Sequence, residues 1–170
     1  PAWRAALNRR LLARANAVLS VSEPVREILV RRDRIPAEKI HIVPGGVENA
    51  AVPLPLPAAI AALPHPRLVC LGQLRREKNQ ALALRALAHL RNQDSPASLV
   101  FFGDGPERHA LEALARELKL VDCIHFAGSH PEARRFLPHF DLMILPSSEE
   151  AFPNVMLEAW QANLPVVTTD

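Results

Sequence analysis

The second half of the chain alternates short apolar runs with longer amphipathic segments, and this alternation limits the possible folds more than any other feature. The apolar runs are continuous rather than alternating with polar residues, which is typical of strands buried on both faces of a sheet. The sequence therefore predicts an α/β fold, a doubly wound parallel sheet with helices on both sides, from about Leu68 to Asp170. The predicted strands are Leu68–Leu71, Leu99–Phe102, Ile124–Ala127, Leu142–Leu145 and Val166–Thr168, and the helices between them are Asn79–Arg91, Pro106–Leu118, Pro131–Leu137 and Asn154–Ala162.

The first part of the chain carries weaker signals. Ser22 is predicted to cap a helix that runs from Glu23 to about Arg32. The segment 49–66 is rich in Pro and Ala and is predicted to connect the two parts, with one helical turn near 58–63. The other predicted elements here are a basic helix over Trp3–Arg14 and strands at Ala17–Ser20 and Ile40–Val43.

Composition excludes several classes of protein. In 170 residues, 20 Lys and Arg balance 18 Asp and Glu, so we expect no nucleic acid as a partner. Hydrophobic residues make up 49% of the chain, which excludes disorder as the main state. Cys70 and Cys123 lie in apolar segments and are predicted to be buried thiols, which fits a cytoplasmic location. The histidines show no metal-ligand spacing, so no metal site is predicted.

Ligands of doubly wound sheets bind beyond the carboxyl ends of the strands, which directs attention to four loops. In the first loop Arg75, Arg76 and Lys78 could neutralise a phosphate, although a solvated charged turn is the favoured interpretation of this loop on its own. In the second loop Gly103 and Gly105 form part of a dinucleotide-binding pattern, or a tight turn with Pro106 at the first helical position. The four loops are Gly72–Lys78, Gly103–Pro106, Gly128–His130 and Pro146–Pro153.

The fourth loop carries the strongest signal, because Glu150 precedes a predicted helix and Glu158 lies inside it. If the helix begins near Asn154, Glu158 lies roughly 6 Å along its axis. A phosphate at the helix N-terminus would accept hydrogen bonds from the N–H groups of Asn154 and Val155, and an attached ribose would lie near Glu158. The alternative is that Glu149 and Glu150 interact with the helix dipole and Glu158 lies on the surface.

Four segments in this order resemble the retaining glycosyltransferases of the GT-B fold, glycosyl transferases group 1 (family 4-like). The resemblance implies a Rossmann-like donor-binding domain over 45–170, incomplete at its C-terminus, and the tail of an N-terminal acceptor domain with the interdomain crossover over 1–44. A chain of this extent is not expected to turn over substrate alone. The segments are Val21–Glu23 with Ile40–Val47, Leu71–Leu74 with Lys78 and Asn79, Gly103–Arg108, and the Glu150/Glu158 pair with Phe152, Pro153 and Asn154.

The resemblance also implies an activity: transfer of a sugar from a UDP-sugar or GDP-sugar to a glycan or lipid-linked acceptor, with retained anomeric configuration and with no cofactor or metal. Lys78 would stabilise the departing diphosphate, and Glu150 would contact hydroxyls of the donor sugar. Glu158 would hold the ribose. The remaining donor-binding residues would be Gly72, Gln73, Arg75, Gly103, Gly105, Phe152, Pro153, Asn154 and Val155.

Three positions depart from the pattern of this family. Gln73 stands where an Arg is usual, and Arg75 or Arg76 could replace that cation. Gly45 replaces an Asn in the crossover, and Asn163 replaces a Gly before Leu164. The change at Gln73 motivates an alternative function, a catalytically inactive module that binds nucleotide sugars. A nicotinamide-dependent oxidoreductase ranks last, because the third glycine after Gly105 is missing.

The opening segment carries Arg4, Arg9, Arg10 and Arg14. These cations allow a peripheral contact with the inner face of the cell membrane, while a solvated helix face is the favoured alternative.

Overall fold

The computed structural model describes residues 7, 10–12, 14–49 and 52–169. These residues divide into two compact units. The first contains the described residues up to Gly46 together with Glu150–Asn154, and the second contains residues 47–149 and 155–169. The helix predicted for Trp3–Arg14 includes positions that lie outside the described residues. Arg4 and Arg9 are two of these positions. The domain boundary after residue 44 stays a prediction.

The first unit contains a two-stranded parallel sheet. Strand β1 (Val18–Ser20) pairs with β2 (Ile40–Ile42), and helix α1 (Glu23–Arg31) lies between them in sequence. Val18, Ile35 and Ile40 form its buried core. Ser22 occupies the N-cap position of α1 in an extended conformation, but its hydroxyl donates to the Ala151 carbonyl oxygen at 2.9 Å. The predicted side-chain cap is therefore absent from α1.

The second unit is built on five parallel strands in the order β5-β4-β3-β6-β7. Every strand coincides with a predicted apolar run to within one residue at each end, so the predicted α/β doubly wound fold is confirmed. The strands are β3 (Arg67–Leu71), β4 (Ser98–Phe102), β5 (Ile124–Gly128), β6 (Leu142–Leu145) and β7 (Val166–Thr168).

Side chains alternate between two hydrophobic cores, one on each face of the sheet. In β4, Leu99 and Phe101 pack into one core and Val100 and Phe102 into the other. Burial of both faces explains the continuous apolar runs in the sequence. Both cysteines are buried as predicted, and burial raises the pKa of the Cys70 and Cys123 thiols.

Four α-helices cover this unit, and two of them begin later than predicted. One begins at Gln80 because Asn79 adopts the left-handed conformation with φ of 48°. The next begins at Arg108, so Pro106 is not the first helical residue. The Glu107 N–H there donates to the Leu74 carbonyl oxygen at 3.1 Å. The helices are α2 (Ala58–Ala61), α3 (Gln80–Arg91), α4 (Arg108–Glu117) and α5 (Asn154–Gln161).

The helix predicted for Pro131–Leu137 is present, but it begins and ends two residues later and is not an α-helix. The structure has a 3₁₀ helix at Ala133–His139, with Pro138 inside it. In an α-helix the proline ring would collide with the carbonyl group four residues earlier, that of Arg134, and would offer no N–H to it. The tighter 3₁₀ winding avoids that conflict.

The order of strands creates a switch point between β3 and β6. The chain proceeds outward from β3 to β4 and β5, then returns to the other side of β3 with β6 and β7. Helices α3 and α4 contribute to one core and α5 to the other. Loops diverge at such a point and leave a crevice at the carboxyl ends of the strands.

Among the described residues, no helix combines the length and apolar character needed to cross a membrane.

Candidate functional site

A cleft of about 360 Å³ lies at the carboxyl ends of β3, β4 and β5 in the second unit. Helix α5 contributes Val155 and Glu158 to its wall, and the 3₁₀ helix contributes Ala133 and Arg134. Five residues of the predicted site therefore line one cavity. The full lining is Leu71, Gly72, Gln73, Phe102, Gly103, Asp104, Ser129, His130, Pro131, Ala133, Arg134, Val155 and Glu158.

Glycines let the loops after β3, β4 and β5 approach one another at the base of the cleft. The Gly72 N–H donates to the Phe102 carbonyl at 2.9 Å, and the Gly103 N–H donates to the Gly128 carbonyl at 2.8 Å. Gly103 has φ of 147°, and a Cβ atom there would lie 1.8 Å from the Gly72 oxygen. A side chain at Gly103 is therefore incompatible with this wall of the cleft.

Gly105 has a similar role beside the cleft, which it does not itself line. Its Cβ position would lie 2.4 Å from the Leu74 carbonyl oxygen. Leu74 is buried in the core, and its N–H donates to the Asp104 carbonyl at 3.0 Å. The first two loops are thus joined along their backbones, and the buried Leu74 side chain fixes them to the sheet.

Some of the predicted residues of the first loop line the cleft and others do not. Gln73 lines it, and the Gln73 carbonyl accepts a hydrogen bond from the Gln80 side-chain amide at 2.8 Å. Arg75 instead lines a hollow together with Glu107, and its guanidinium lies 3.9 Å from the Glu77 carboxylate.

Lys78 lies at the end of a 3₁₀ turn, Arg76–Lys78, and is half-buried. It is not among the cleft-lining residues. The Ser148 N–H and hydroxyl both donate to the Glu77 carbonyl, at 2.9 and 3.1 Å. These two bonds hold the segment that carries Lys78 beside the loop that follows β6.

Glu158 is the half-buried carboxylate of the cleft. Helix α5 begins at Asn154, the residue that the sequence predicts, and Glu158 follows one turn later. Burial raises the pKa of Glu158, while the positive charge of Arg134 acts in the opposite direction. A carboxylate of this kind can accept hydrogen bonds from two neighbouring hydroxyl groups.

The other predicted residues of the fourth loop, Glu150, Phe152, Pro153 and Asn154, belong to the first unit. The Asn154 N–H already donates to the Phe152 carbonyl at 3.1 Å. The side chains of Phe152 and Asn154 occupy the space beside Gly45, where a Cβ atom would lie 2.4 Å from the Asn154 Oδ1. This crowding accounts for the glycine at position 45.

Three ionisable side chains that line the cleft were not among the predicted site residues. Within the part of the chain that the structure describes, Arg134 is the only lysine or arginine that lines the cleft. The His130 ring packs edge-on against Phe136, with 5.0 Å between ring centroids, and its Nδ1 accepts a hydrogen bond from the Glu132 N–H at 3.1 Å. Asp104 accepts from the Gly105 N–H at 2.7 Å. The topology indicated the loop of His130, but no local pattern distinguished Arg134.

The arrangement suits a ligand with vicinal hydroxyls and a phosphate. Glu158 supplies the acceptor for hydroxyls, and the first turn of α5 supplies N–H groups. The glycine-bearing loops leave room for a ligand against the backbone. In the part of the chain that the structure describes, no cluster of three or more His, Cys, Asp and Glu side chains could hold a metal ion.

The fold is that of a Rossmann-like domain, with a cleft at the carboxyl ends of β3, β4 and β5. Residues 65–170 match the family Glycosyl transferases group 1, and residues 1–50 match Glycosyltransferase Family 4. The chain belongs to the glycosyl transferases group 1, and the resemblance predicted from its motifs is confirmed.

Several curated relatives are glycosyltransferases by name. The chain is 28% identical to the putative glycosyltransferase EpsF of Bacillus subtilis, covering 95% of this chain and 44% of EpsF. It is 36% identical to the lipopolysaccharide core biosynthesis glycosyltransferase LpsD of Rhizobium meliloti, covering 60% of this chain and 29% of LpsD. The chain thus spans less than half the length of these relatives.

Solved structures show the same fold at low sequence identity. Anabaena Alr3699/HepE in complex with UDP and glucose superimposes with a TM-score of 0.82 at 20% identity, over 98% of this chain and 48% of that one. WaaG, a glycosyltransferase involved in lipopolysaccharide biosynthesis, gives 0.74 at 22% identity, over 88% of this chain and 43% of WaaG.

Proposed function

We propose that this chain is the donor-binding part of a retaining glycosyltransferase. The reaction is transfer of a sugar from a nucleotide diphosphate sugar to a glycan or a lipid-linked acceptor. The observation that carries the proposal is the half-buried Glu158 in a glycine-walled cleft at the strand ends. Family membership supports it, and so does the fold shared with Alr3699/HepE, a protein solved with UDP and glucose.

The cleft suggests how a donor nucleotide is held. Glu158 accepts hydrogen bonds from the two ribose hydroxyls, and the first turn of α5, at Val155, faces the diphosphate. Gly72, Gly103 and Gly105 keep the neighbouring backbones close and leave space for the nucleotide. This placement makes Glu158 a determinant of nucleotide affinity rather than of the chemical step.

The chemical step belongs to Lys78 and Glu150 in this proposal. The Lys78 ammonium stabilises the negative charge that develops on the departing diphosphate, which is a large catalytic contribution in reactions of this type. Glu150 contacts hydroxyls of the transferred sugar, and Phe152, Pro153 and Asn154 form the seat below it. Gln73 and Arg75 complete the diphosphate site, which uses no metal or cofactor.

The proposal also covers the class of acceptor and the cellular location of the protein. The protein acts in the cytoplasm, on a glycan or lipid-linked acceptor. The part of the longer relatives that this chain does not match would bind that acceptor. Arg10 and Arg14 are exposed and provide cations for peripheral contact with an anionic membrane surface.

Calorimetric titration with UDP, GDP and their sugar conjugates tests the donor site. Glu158→Ala is expected to weaken nucleotide binding by about 1–3 kcal/mol, because charged hydrogen bonds to the ribose are lost. Glu117→Ala is the matched control, since Glu117 is an exposed carboxylate at the end of α4. Failure of every nucleotide to bind, or equal effects of the two substitutions, would contradict the proposal.

Transfer is assayed on the complete protein, with the anomeric configuration of the product read by NMR. Glu150→Ala is expected to reduce transfer more than binding of the free nucleotide. Nucleotide binding without transfer by the complete protein would instead favour the inactive binding module that Gln73 suggests. An inverted product would overturn retention.

A further inference from the structure

Arg134 and Glu158 form a wall shared by two hollows. Besides the cleft, a second hollow of about 290 Å³ lies on the other side of these two side chains. Of the residues that the structure describes, Arg134 and Glu158 are the two that line both. The remaining lining of the second hollow is Pro53, Pro138, Gln161, Ala162 and Asn163.

The guanidinium of Arg134 forms an ion pair with an exposed carboxylate, that of Glu48. Its Nη2 lies 2.5 Å from the Glu48 carboxylate, and the Glu48 side chain is 82% exposed. Exposed ion pairs of this kind contribute little stability, so water or another anion can replace Glu48 at small cost. The Gln161 side-chain amide donates to the Glu48 carbonyl at 2.9 Å, which ties this segment to α5, the helix of Glu158.

The charges around Glu158 leave Arg134 as its main electrostatic partner. The cleft also presents Asp104 and His130, but the Asp104 carboxylate is engaged by the Gly105 N–H and by Arg108 at 3.3 Å. The second hollow adds the uncharged side chains of Gln161 and Asn163. Burial raises the pKa of Glu158 and Arg134 lowers it. A ligand that displaces water from the cleft increases both effects.

We propose that Arg134 is a positioning residue that keeps the Glu158 carboxylate ionised and turned toward the cleft when a nucleotide ribose displaces its water. The inference rests on the proposed function, because it assumes that Glu158 binds the ribose. In this role Arg134 contributes to the binding affinity for the nucleoside part of the ligand. Direct contact of Arg134 with the donor phosphates would be a different role and is separated by the test.

The test compares nucleosides with nucleoside diphosphates. Uridine, UDP, guanosine and GDP are titrated into the wild-type chain and into Arg134→Gln, Arg134→Lys and Glu48→Gln, with ligand-observed NMR for the weak nucleosides. Arg134→Gln is expected to weaken a nucleoside and its diphosphate by the same factor, and by more as the pH is lowered. Arg134→Lys recovers most of the affinity because it keeps the charge, and Glu48→Gln changes it little.

A second measurement follows the ionisation of the Glu158 carboxyl group in the absence of ligand. Its carboxyl carbon resonance, assigned by its disappearance in Glu158→Gln, should titrate at higher pH in Arg134→Gln than in the wild type. Uridine affinity of Arg134→Gln should then fall about tenfold for each pH unit below that titration. The same shift should persist in a His130→Gln background, since His130 is another ionisable side chain that lines the cleft.

Three results are distinguishable. An affinity loss confined to UDP and GDP, with the Glu158 titration unchanged, would overturn the positioning role and favour phosphate contact. Unchanged affinity for all four ligands in Arg134→Gln would also overturn it. Failure of the wild type to bind either UDP or GDP would overturn the proposed function, while the Glu158 resonance would still report whether Arg134 controls its ionisation.

Discussion

Gly103 lies so close to the loop after β3 that a Cβ atom on it would stand 1.8 Å from the Gly72 carbonyl oxygen. Gly72 itself also has a positive φ, 145°, but a Cβ atom there would meet nothing within 4 Å. The two glycines therefore share a backbone requirement and differ in steric requirement. The wall of the cleft depends on the absence of a side chain at Gly103.

Alanine at each glycine separates these two requirements. Gly72→Ala is expected to destabilise the fold through backbone strain alone, by about 1–3 kcal/mol. Gly103→Ala adds a collision with backbone atoms, so it should cost clearly more and should also reduce nucleotide affinity. Urea denaturation measures the free energy of unfolding of both variants. Equal costs would show that the close approach of the two loops is not as described.

Leu82 and Leu84 offer a matched pair on α3. Leu84 is fully buried in the core below the sheet, while Leu82 is 42% exposed. Leu84→Ala should lower the free energy of unfolding by about 2–5 kcal/mol, because it leaves a cavity in a packed core. Leu82→Ala should cost much less. The comparison, by urea denaturation, would contradict the described orientation of α3 if the two variants were equally destabilised.

The ionisation of Asp141 makes the free energy of unfolding depend on pH. Burial opposes its charge, but hydrogen bonds from the Arg67 N–H at 2.6 Å and the His65 imidazole at 2.7 Å outweigh burial and lower the pKa of Asp141. A pKa below its unfolded value stabilises the fold above that unfolded value, and the contribution is lost as the pH falls through the folded pKa.

Asp141→Asn should therefore be less stable than the wild type at pH 7, with the difference shrinking as the pH falls below about 4. Asp122→Asn, at an exposed aspartate, should show no such trend. Thermal unfolding at a series of pH values measures the difference. A gap that does not change with pH would contradict the ionic origin of the effect.

Gln73 lines the cleft, where Arg134 is the only lysine or arginine among the described lining residues. Gln73→Arg adds a second cation there and should strengthen UDP or GDP binding several-fold, with the gain decreasing at high salt. Gln93→Arg adds the same charge at an exposed position after α3 and serves as the control. Calorimetry at two salt concentrations would contradict the prediction if both variants gained equally.

The fold was accessible from the sequence because its main signal is local. A strand buried on both faces is apolar along most of its length, and Leu99–Phe102 of β4 are four consecutive buried apolar residues. The 3₁₀ type of the helix at Ala133–His139 is less accessible, because it depends on Pro138, which follows the predicted helical segment.

The site was accessible only in part. The glycines and Glu158 stand at loop and helix positions that the α/β pattern itself marks. Arg134 enters the cleft only because the strand order places the loop after β5 and helix α5 around the same strand ends, and that order is not encoded in any single segment. The Gly45 requirement likewise depends on Phe152 and Asn154, which lie far from it in sequence.

A crystal structure of the chain with UDP or GDP tests the central claim most directly. We expect the nucleotide to bind in the cleft at the ends of β3, β4 and β5. Both ribose hydroxyls should lie within hydrogen-bond distance of Glu158, and the diphosphate should lie at the first turn of α5. Nucleotide bound elsewhere, such as the apolar hollow between Leu82 and Val167, or a ribose with no contact to Glu158, would contradict it.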